Sequence, residues 1–285
     1  MPKELKYQPI AVKTPDGLSI AAQRWGNAGG PEILFIHGFM QCHLSWARQV
    51  ESALAREFHM VTYDLRGHGD SEKPLARERY RDGKAWAEEL AAVIAAASLR
   101  RPVLVGWSYA GRVIADYLEA YGSAGIAGIN FVNARTNSDP RFAGPFSSRH
   151  LTEVAAEDLA TRIAATRTFL RACFSRQPTQ DEFETMLGFN MLVPRDVRAA
   201  MSGRELNVDA LLGRLALPVL VTFGIEDKIL TLEGARHAAT ATPGARLSLY
   251  EGIGHAPFWE DASRFNAELA AFVRDASADH AGGDA

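Results

Sequence analysis

The chain has 285 residues, 47% of them hydrophobic and 23% charged, the balance of a folded globular protein rather than a disordered one. That length allows one large α/β domain with an insertion, or two small domains. A formal charge of -3 gives no basic footprint for nucleic acid, and that partner class is set aside. The two cysteines, Cys42 and Cys173, offer at most one bridge; with no secretory context, free buried thiols are expected.

The opening Met-Pro-Lys-Glu-Leu-Lys-Tyr-Gln is polar and lacks the apolar core of a signal peptide. No apolar run approaches the ~18 residues that span a bilayer, so no membrane partner and a cytoplasmic location are expected. Residues 7–13 and 18–25 flank Thr14-Pro15-Asp16-Gly17, a strong turn signal, and read as an antiparallel hairpin. Short apolar runs at 33–36, 59–63, 103–105, 126–132, 219–223 and 247–250 then alternate with helical stretches. Such runs, apolar without alternation and joined by helices, predict a mostly parallel sheet buried on both faces. Residues 85–98, rich in alanine, form the clearest connecting helix.

The alternation breaks between 137 and 207, where no strand is readable. Helical patterns at 155–174, 178–187 and 195–201 are punctuated by Pro178 and Pro194. This segment reads as a helical cap inserted after the sixth strand. The expected organisation is an α/β core over 1–136 and 208–276, a cap over 137–207, and a fraying polar tail over 277–285.

Residues 103–112 read Val-Leu-Val-Gly-Trp-Ser-Tyr-Ala-Gly-Arg, a strand that stops at a Gly-x-Ser-x-small-Gly turn and leads into a helix. Such a turn lifts its serine, Ser108, to the top of a parallel sheet as a nucleophile. An isolated serine at this kind of junction is more often a helix cap, so the motif depends on what accompanies it. A serine hydroxyl needs an oriented base. In α/β folds the chemistry collects at the carboxyl ends of strands. His255 follows the 247–250 strand in a glycine-flanked loop, and Asp227 lies just past the 219–223 strand.

The order Ser108, Asp227, His255 is that of the α/β-hydrolases, which the chain resembles along nearly its whole length. The resemblance rests on His37-Gly38-Phe39, on Asp64-Leu65-Arg66-Gly67-His68-Gly69-Asp70-Ser71, on the serine turn, and on the Asp227 and Gly254-His255 loops. Within that family the chain looks most like small capped esterases, lactonases and cofactor-free haloperoxidase or perhydrolase enzymes. One position departs: the glycine usual two residues after the serine is Ala110, with Gly111 next. Only a small side chain should fit there.

The resemblance implies His255 as general base and acid, and Asp227 as the group that orients its imidazole. It implies an oxyanion hole made of the Phe39 and Tyr109 backbone N–H groups. Asp64 also ends a strand, but it opens an Arg-Gly-His-Gly turn, where a carboxylate accepts local backbone and arginine hydrogen bonds; a structural role is expected. Asn133, near the end of the sixth strand, is an amide and cannot be the acid. His37 is expected to orient the oxyanion loop. His43, His59, His68, His150, His237 and His280 show no ligand spacing, so no metal is expected. Glu72 replaces the third glycine after Gly67-His68-Gly69, which removes a dinucleotide reading, and no cofactor is expected.

Trp107, Phe142, Phe146, Phe183, Met186, Phe189, Met191 and Phe258 are candidates to line an apolar pocket beneath the cap, though each alone also suits core packing. The leading expectation is hydrolysis of a small, largely apolar carboxylic ester or lactone through an acyl-Ser108 intermediate. Carbon–carbon bond hydrolysis and perhydrolysis use the same triad. A ligand-binding receptor on a hydrolase scaffold is the alternative from another class. The partner is a small molecule, and a homo-oligomer stays open.

Overall fold

The computed structural model describes residues 7–146 and 148–278, with side-chain surroundings given outside 148–150. Eight strands are present: β1 (Gln8–Lys13), β2 (Ser19–Gly26), β3 (Glu32–Ile36), β4 (His59–Tyr63), β5 (Val103–Trp107), β6 (Gly128–Val132), β7 (Val219–Gly224) and β8 (Arg246–Tyr250). They form one sheet in the order β1-β2-β4-β3-β5-β6-β7-β8. β1 pairs antiparallel with β2, and β2 with β4; every later pairing is parallel. The eight strands expected from the sequence are therefore found, with helices on both faces.

Burial follows position in the sheet. β4, β5, β6 and β7 are buried at every residue, as central strands covered on both faces must be, whereas the edge strands β1 and β8 are partly exposed. The expected helix at 85–98 runs Gly83–Ala96, because Asp82 caps it by accepting the Lys84 N–H at 2.9 Å. The tail expected over 277–285 lies outside the described residues from 279 onward; 277 and 278 end the last helix, Ala262–Ala278. Among the described residues no helix is long and apolar enough to cross a membrane.

After β6 the chain departs into a helical insert. The chain leaves and returns side by side, through the Asn137–Asn207 antiparallel bridge and the Val208 N–H to Thr136 carbonyl bond of 3.3 Å. The insert's helices are Ser148–Glu153, Leu159–Ala172, Gln180–Met191 and Arg195–Met201. The second starts later than the 155 expected because Asp158 caps it, accepting from Thr161 N–H at 2.7 Å. The third is fixed by a capping box between Thr179 and Glu182.

One buried guanidinium joins these helices. Arg198, fully buried, donates from Nε to the Val193 carbonyl (2.9 Å) and from Nη1 to the Val154 carbonyl and Thr166 Oγ1 (both 2.9 Å). Its Nη2 donates to the Asn190 carbonyl at 2.7 Å. Burial pushes it down to about 10, so it stays charged at neutral pH. Replacing it leaves the Val154 and Val193 carbonyls without the donor that satisfies them, while the Asn190 carbonyl keeps the Val193 N–H at 3.3 Å. Arg198→Met should therefore lower unfolding stability by roughly 3 kcal/mol, and Arg198→Lys should recover only part, since an ammonium cannot span the same acceptors. Urea midpoints check this; a methionine variant as stable as wild type would refute the clamp.

Candidate active site

Loops leaving the carboxyl ends of β3, β5, β6, β7 and β8 carry every group singled out for chemistry, and these strands are consecutive neighbours in the sheet. Ser108 sits between β5 and the helix Ala110–Tyr121, with φ at 56°. A non-glycine residue adopts that conformation only where its surroundings enforce it. Here the Ser108 N–H donates to the Val132 carbonyl (3.1 Å), while its carbonyl accepts from Gly111 (3.1 Å) and Arg135 (2.9 Å) N–H groups.

The demand for small residues falls on the flanking glycines. A Cβ at Gly106 would stand 2.5 Å from Ile114 Cδ1, and one at Gly111 would stand 2.4 Å from the Arg135 carbonyl oxygen. Ala110 is fully buried and carries its own Cβ without such a conflict, 3.2 Å from the position a Gly106 Cβ would occupy. Gly38 is pressed against the same turn, since a Cβ there would lie 3.2 Å from Ser108 Cβ. The loop through Phe39 thus rests directly on the serine. Among the described residues, neither the Phe39 nor the Tyr109 backbone N–H donates a hydrogen bond.

His255 and Asp227 meet in a buried pair. His255 Nδ1 donates to Asp227 Oδ2 at 2.7 Å, and both side chains are buried. His255 Nε2 has no partner among the described residues. Asp227 Oδ1 accepts from the Ile229 (2.7 Å) and Leu230 (3.1 Å) N–H groups. Its Oδ2 accepts a second bond, from Asn133 Nδ2 at 2.7 Å. Asn133, at φ 40°, returns the contact on its other atom by accepting the Gly224 N–H at 3.2 Å. The Asn133 amide therefore holds the Asp227 carboxylate, a contact no linear spacing announces.

The His255 loop is pinned on three sides. The Trp107 indole N–H donates to the His255 carbonyl at 2.8 Å, with the two rings 5.6 Å apart. The His255 N–H donates to the Cys173 carbonyl at 2.9 Å, inside the insert. Glu260 accepts the N–H groups of Gly254, Ser175 and Arg176. Burial raises the pKa of Glu260, opposed by these donors.

Two other histidines clamp the Phe39 loop from behind. His37 Nε2 accepts the Leu65 N–H at 3.0 Å, so its Nδ1 carries the proton and donates to the Gly38 carbonyl at 2.8 Å. His68 Nε2 accepts the Met40 N–H at 3.2 Å and its Nδ1 donates to the Arg66 carbonyl at 2.9 Å. Both are fully buried, and burial lowers His37 to about 4 and His68 to about 3. Asp64 takes its hydrogen bonds from the His43 ring and N–H and the Asp70 N–H; the arginine expected beside it, Arg66, turns instead to Glu89 at 2.7 Å. Cys42, His43 and Asp64 bring possible ligand atoms within 4.8 Å of one another, with the His43 Nδ1 and the Asp64 oxygens already engaged in hydrogen bonds.

A cavity of about 450 Å³ opens over Ser108. Phe39, Tyr109, Leu151, Phe169 and Leu230 line it together with Arg112, Arg135 and Arg204. None of the aromatic and methionine residues expected to line a pocket stands on its wall. Trp107, Met186, Phe189 and Phe258 face a separate apolar cavity of about 280 Å³. Phe142 stacks on His237 at 4.9 Å, Phe146 packs against Phe169 at 6.0 Å, and Phe183 lies under Arg171 at 4.3 Å.

The α/β-hydrolase fold family matches residues 31–262 of this sequence. The chain belongs to that family. It is similar to the crystal structure of a Burkholderia cenocepacia protein assigned as an aryl esterase, with 37% identity, a TM-score of 0.91 and coverage of 95% of this chain and 100% of that one. An esterase from Rhodococcus sp. ECU1013 is 32% identical with a TM-score of 0.87, over 95% of this chain and 99% of that one. The bifunctional esterase/perhydrolase DCH of Acinetobacter calcoaceticus is 25% identical, over 92% of this chain and 99% of its own length.

The clamping histidines of this α/β-hydrolase give a pH dependence with a definite sign. Each folded-state pKa lies below the ordinary imidazole value, so the unfolded chain binds more protons between the two. Their contribution is complete above ~6.5 and declines as pH falls toward 4, by up to ~3 kcal/mol for each histidine. Urea midpoints should therefore drop steeply between pH 7 and 4.5. His68→Gln, which keeps an acceptor for the Met40 N–H, should flatten that drop. Equal midpoints at the two pH values would contradict it.

Proposed function

We propose that this α/β-hydrolase cleaves a small carboxylic ester or lactone through an acyl-Ser108 intermediate. The observation that carries this reading is the Ser108 turn at φ 56° on a cavity wall, next in sequence to Trp107, which holds the loop of a buried histidine–carboxylate pair whose Nε2 has no partner among the described residues. Ser108 Oγ attacks the carbonyl carbon as His255 Nε2 takes its proton. The imidazolium is stabilised by Asp227 at 2.7 Å on Nδ1. Negative charge on the former carbonyl oxygen is received by the Phe39 and Tyr109 N–H groups, the second at the amino end of a helix whose dipole favours an anion there.

Collapse of that intermediate breaks the bond to the alkoxy oxygen, which leaves with the proton from His255. Water then repeats the sequence on the acyl-enzyme and releases the acid. Hydrogen peroxide in place of water would yield a peracid by the same steps, a reading that the esterase/perhydrolase relative favours. The residues offered as substrate contacts are those on the wall of this cavity, and they are more polar than a fully apolar substrate requires.

A fluorophosphonate probe should label wild-type protein at Ser108. Ser108→Ala should be unlabelled and lose roughly 10³-fold or more in kcat on an aryl ester. Equal labelling of the alanine variant would end the nucleophile assignment. Asn133 supplies a second test, through its bond to Asp227. Asn133→Gly keeps the backbone conformation permissible but removes the amide, and kcat should fall about tenfold while labelling persists, the value of one hydrogen bond to a charged group. Full activity in that variant would deny Asn133 a positioning role.

A further inference from the structure

The wall of the Ser108 cavity holds more cation than its own carboxylates neutralise. Arg204 is satisfied: Nη1 and Nη2 donate to the two Asp116 oxygens at 2.9 and 2.6 Å. Arg112 is different. Buried to 6% exposure, it donates from Nη1 to the Glu205 carbonyl (3.1 Å) and from Nη2 to Ser138 Oγ (3.2 Å), both uncharged acceptors. Arg135 has a buried Nε with no hydrogen-bond partner among the described residues. Neither Arg112 nor Arg135 has a carboxylate within ion-pair distance among those residues. Asp116, already paired with Arg204, acts on Arg112 only from further away, as does the exposed Glu205 on Arg135.

Unpaired buried cations are costly, and a protein tolerates them where a ligand brings the missing anion. Burial lowers Arg112 to about 10, so it remains charged at neutral pH, and burial lowers Arg135 as well. Their placement ties them to the reacting centre. Arg112 lies on the first turn of the helix that follows Ser108, and the Arg135 N–H donates to the Ser108 carbonyl. The Arg112 guanidinium also lies over the Tyr109 ring, 5.9 Å from its centroid. Phe39, Leu151, Phe169 and Leu230 supply apolar surface on the same cavity.

Building on the acyl-Ser108 reading, we propose that the preferred substrate is an ester bearing a free carboxylate, such as the half-ester of a dicarboxylic acid. Arg112 and Arg135 receive the carboxylate, and the apolar residues receive the hydrocarbon between it and the scissile bond. A planar guanidinium matches a carboxylate in shape as well as charge.

The test compares mono-para-nitrophenyl adipate with its methyl ester, which removes the negative charge and adds one methyl group, with para-nitrophenol release as the readout for both. The kcat/KM of wild type should favour the anionic ester about tenfold or more, and Arg135→Gln or Arg112→Gln should erase most of that ratio, chiefly through KM. Arg135→Lys should retain part of it. A purely structural arginine would lower both rates together and leave the ratio unchanged. Adipate binding to Ser108→Ala, measured by calorimetry, removes turnover from the question and should vanish when Arg135→Gln is added. Equal rates on the two esters with no adipate binding would overturn the anion site while leaving the serine hydrolase intact. Arginine-dependent adipate binding without probe labelling at Ser108 would do the reverse.

Discussion

Ser108 occupies a backbone conformation that its side chain disfavours, at a cost of ~1–3 kcal/mol, and much of the surrounding structure serves to hold it there. Its N–H and carbonyl are bonded to the end of β6 and to the Arg135 segment, so the neighbouring strand fixes the turn from one side. Gly106 and Gly111 let Ile114 and the Arg135 backbone approach within distances that any side chain would block. Gly38 brings the Phe39 loop onto the serine for the same reason. Three separate glycines are thus committed to one residue's φ angle. Their spacing, more than the serine itself, is what makes the motif specific.

Charge is apportioned with similar care among the buried histidines. His37 and His68 each bridge one backbone donor and one backbone acceptor, which only a neutral imidazole can do. They sit behind a loop in which Met40 also adopts a positive φ, at 61°. His255 has a carboxylate on one nitrogen and no partner on the other among the described residues. One fold therefore holds two histidines whose bonding leaves no place for a second proton and one whose bonding provides it.

Some of this was readable in the sequence, and the boundary has a physical basis. Strands announced themselves because burial on both faces demands uninterrupted apolar residues. Asp227 could be singled out because it follows such a run, and His255 because a glycine-flanked loop carries it past the mixed, partly exposed edge strand β8; the fold does bring them within 2.7 Å. The Asn133 contact could not, because it depends on β6 lying beside β7 and on a loop geometry that spacing does not encode. Nor could the cavity wall. Phe258, packed between Trp46 and Trp107, looks the same in a sequence as an aromatic facing substrate. Composition reports how much apolar surface exists and leaves open which way it points, whereas the arginines at 112 and 135 gave no pattern because one sits on a helix and the other on a loop.

The insert is bound to the site by the loops that carry the histidine and the carboxylate. Cys173 accepts the His255 N–H, and Glu260 links Ser175 and Arg176 to Gly254. At its other end, the Gly144 and Phe146 N–H groups donate to the Ile229 and Lys228 carbonyls, just past Asp227. A rigid swing of the whole insert would break these bonds and displace both members of the pair. Arg198, which draws four parts of the insert onto one guanidinium, opposes bending within it as well. An insert anchored this way holds Leu151 and Phe169, its share of the cavity wall, in a fixed place, while the core supplies Arg112 and Arg135 to the same wall.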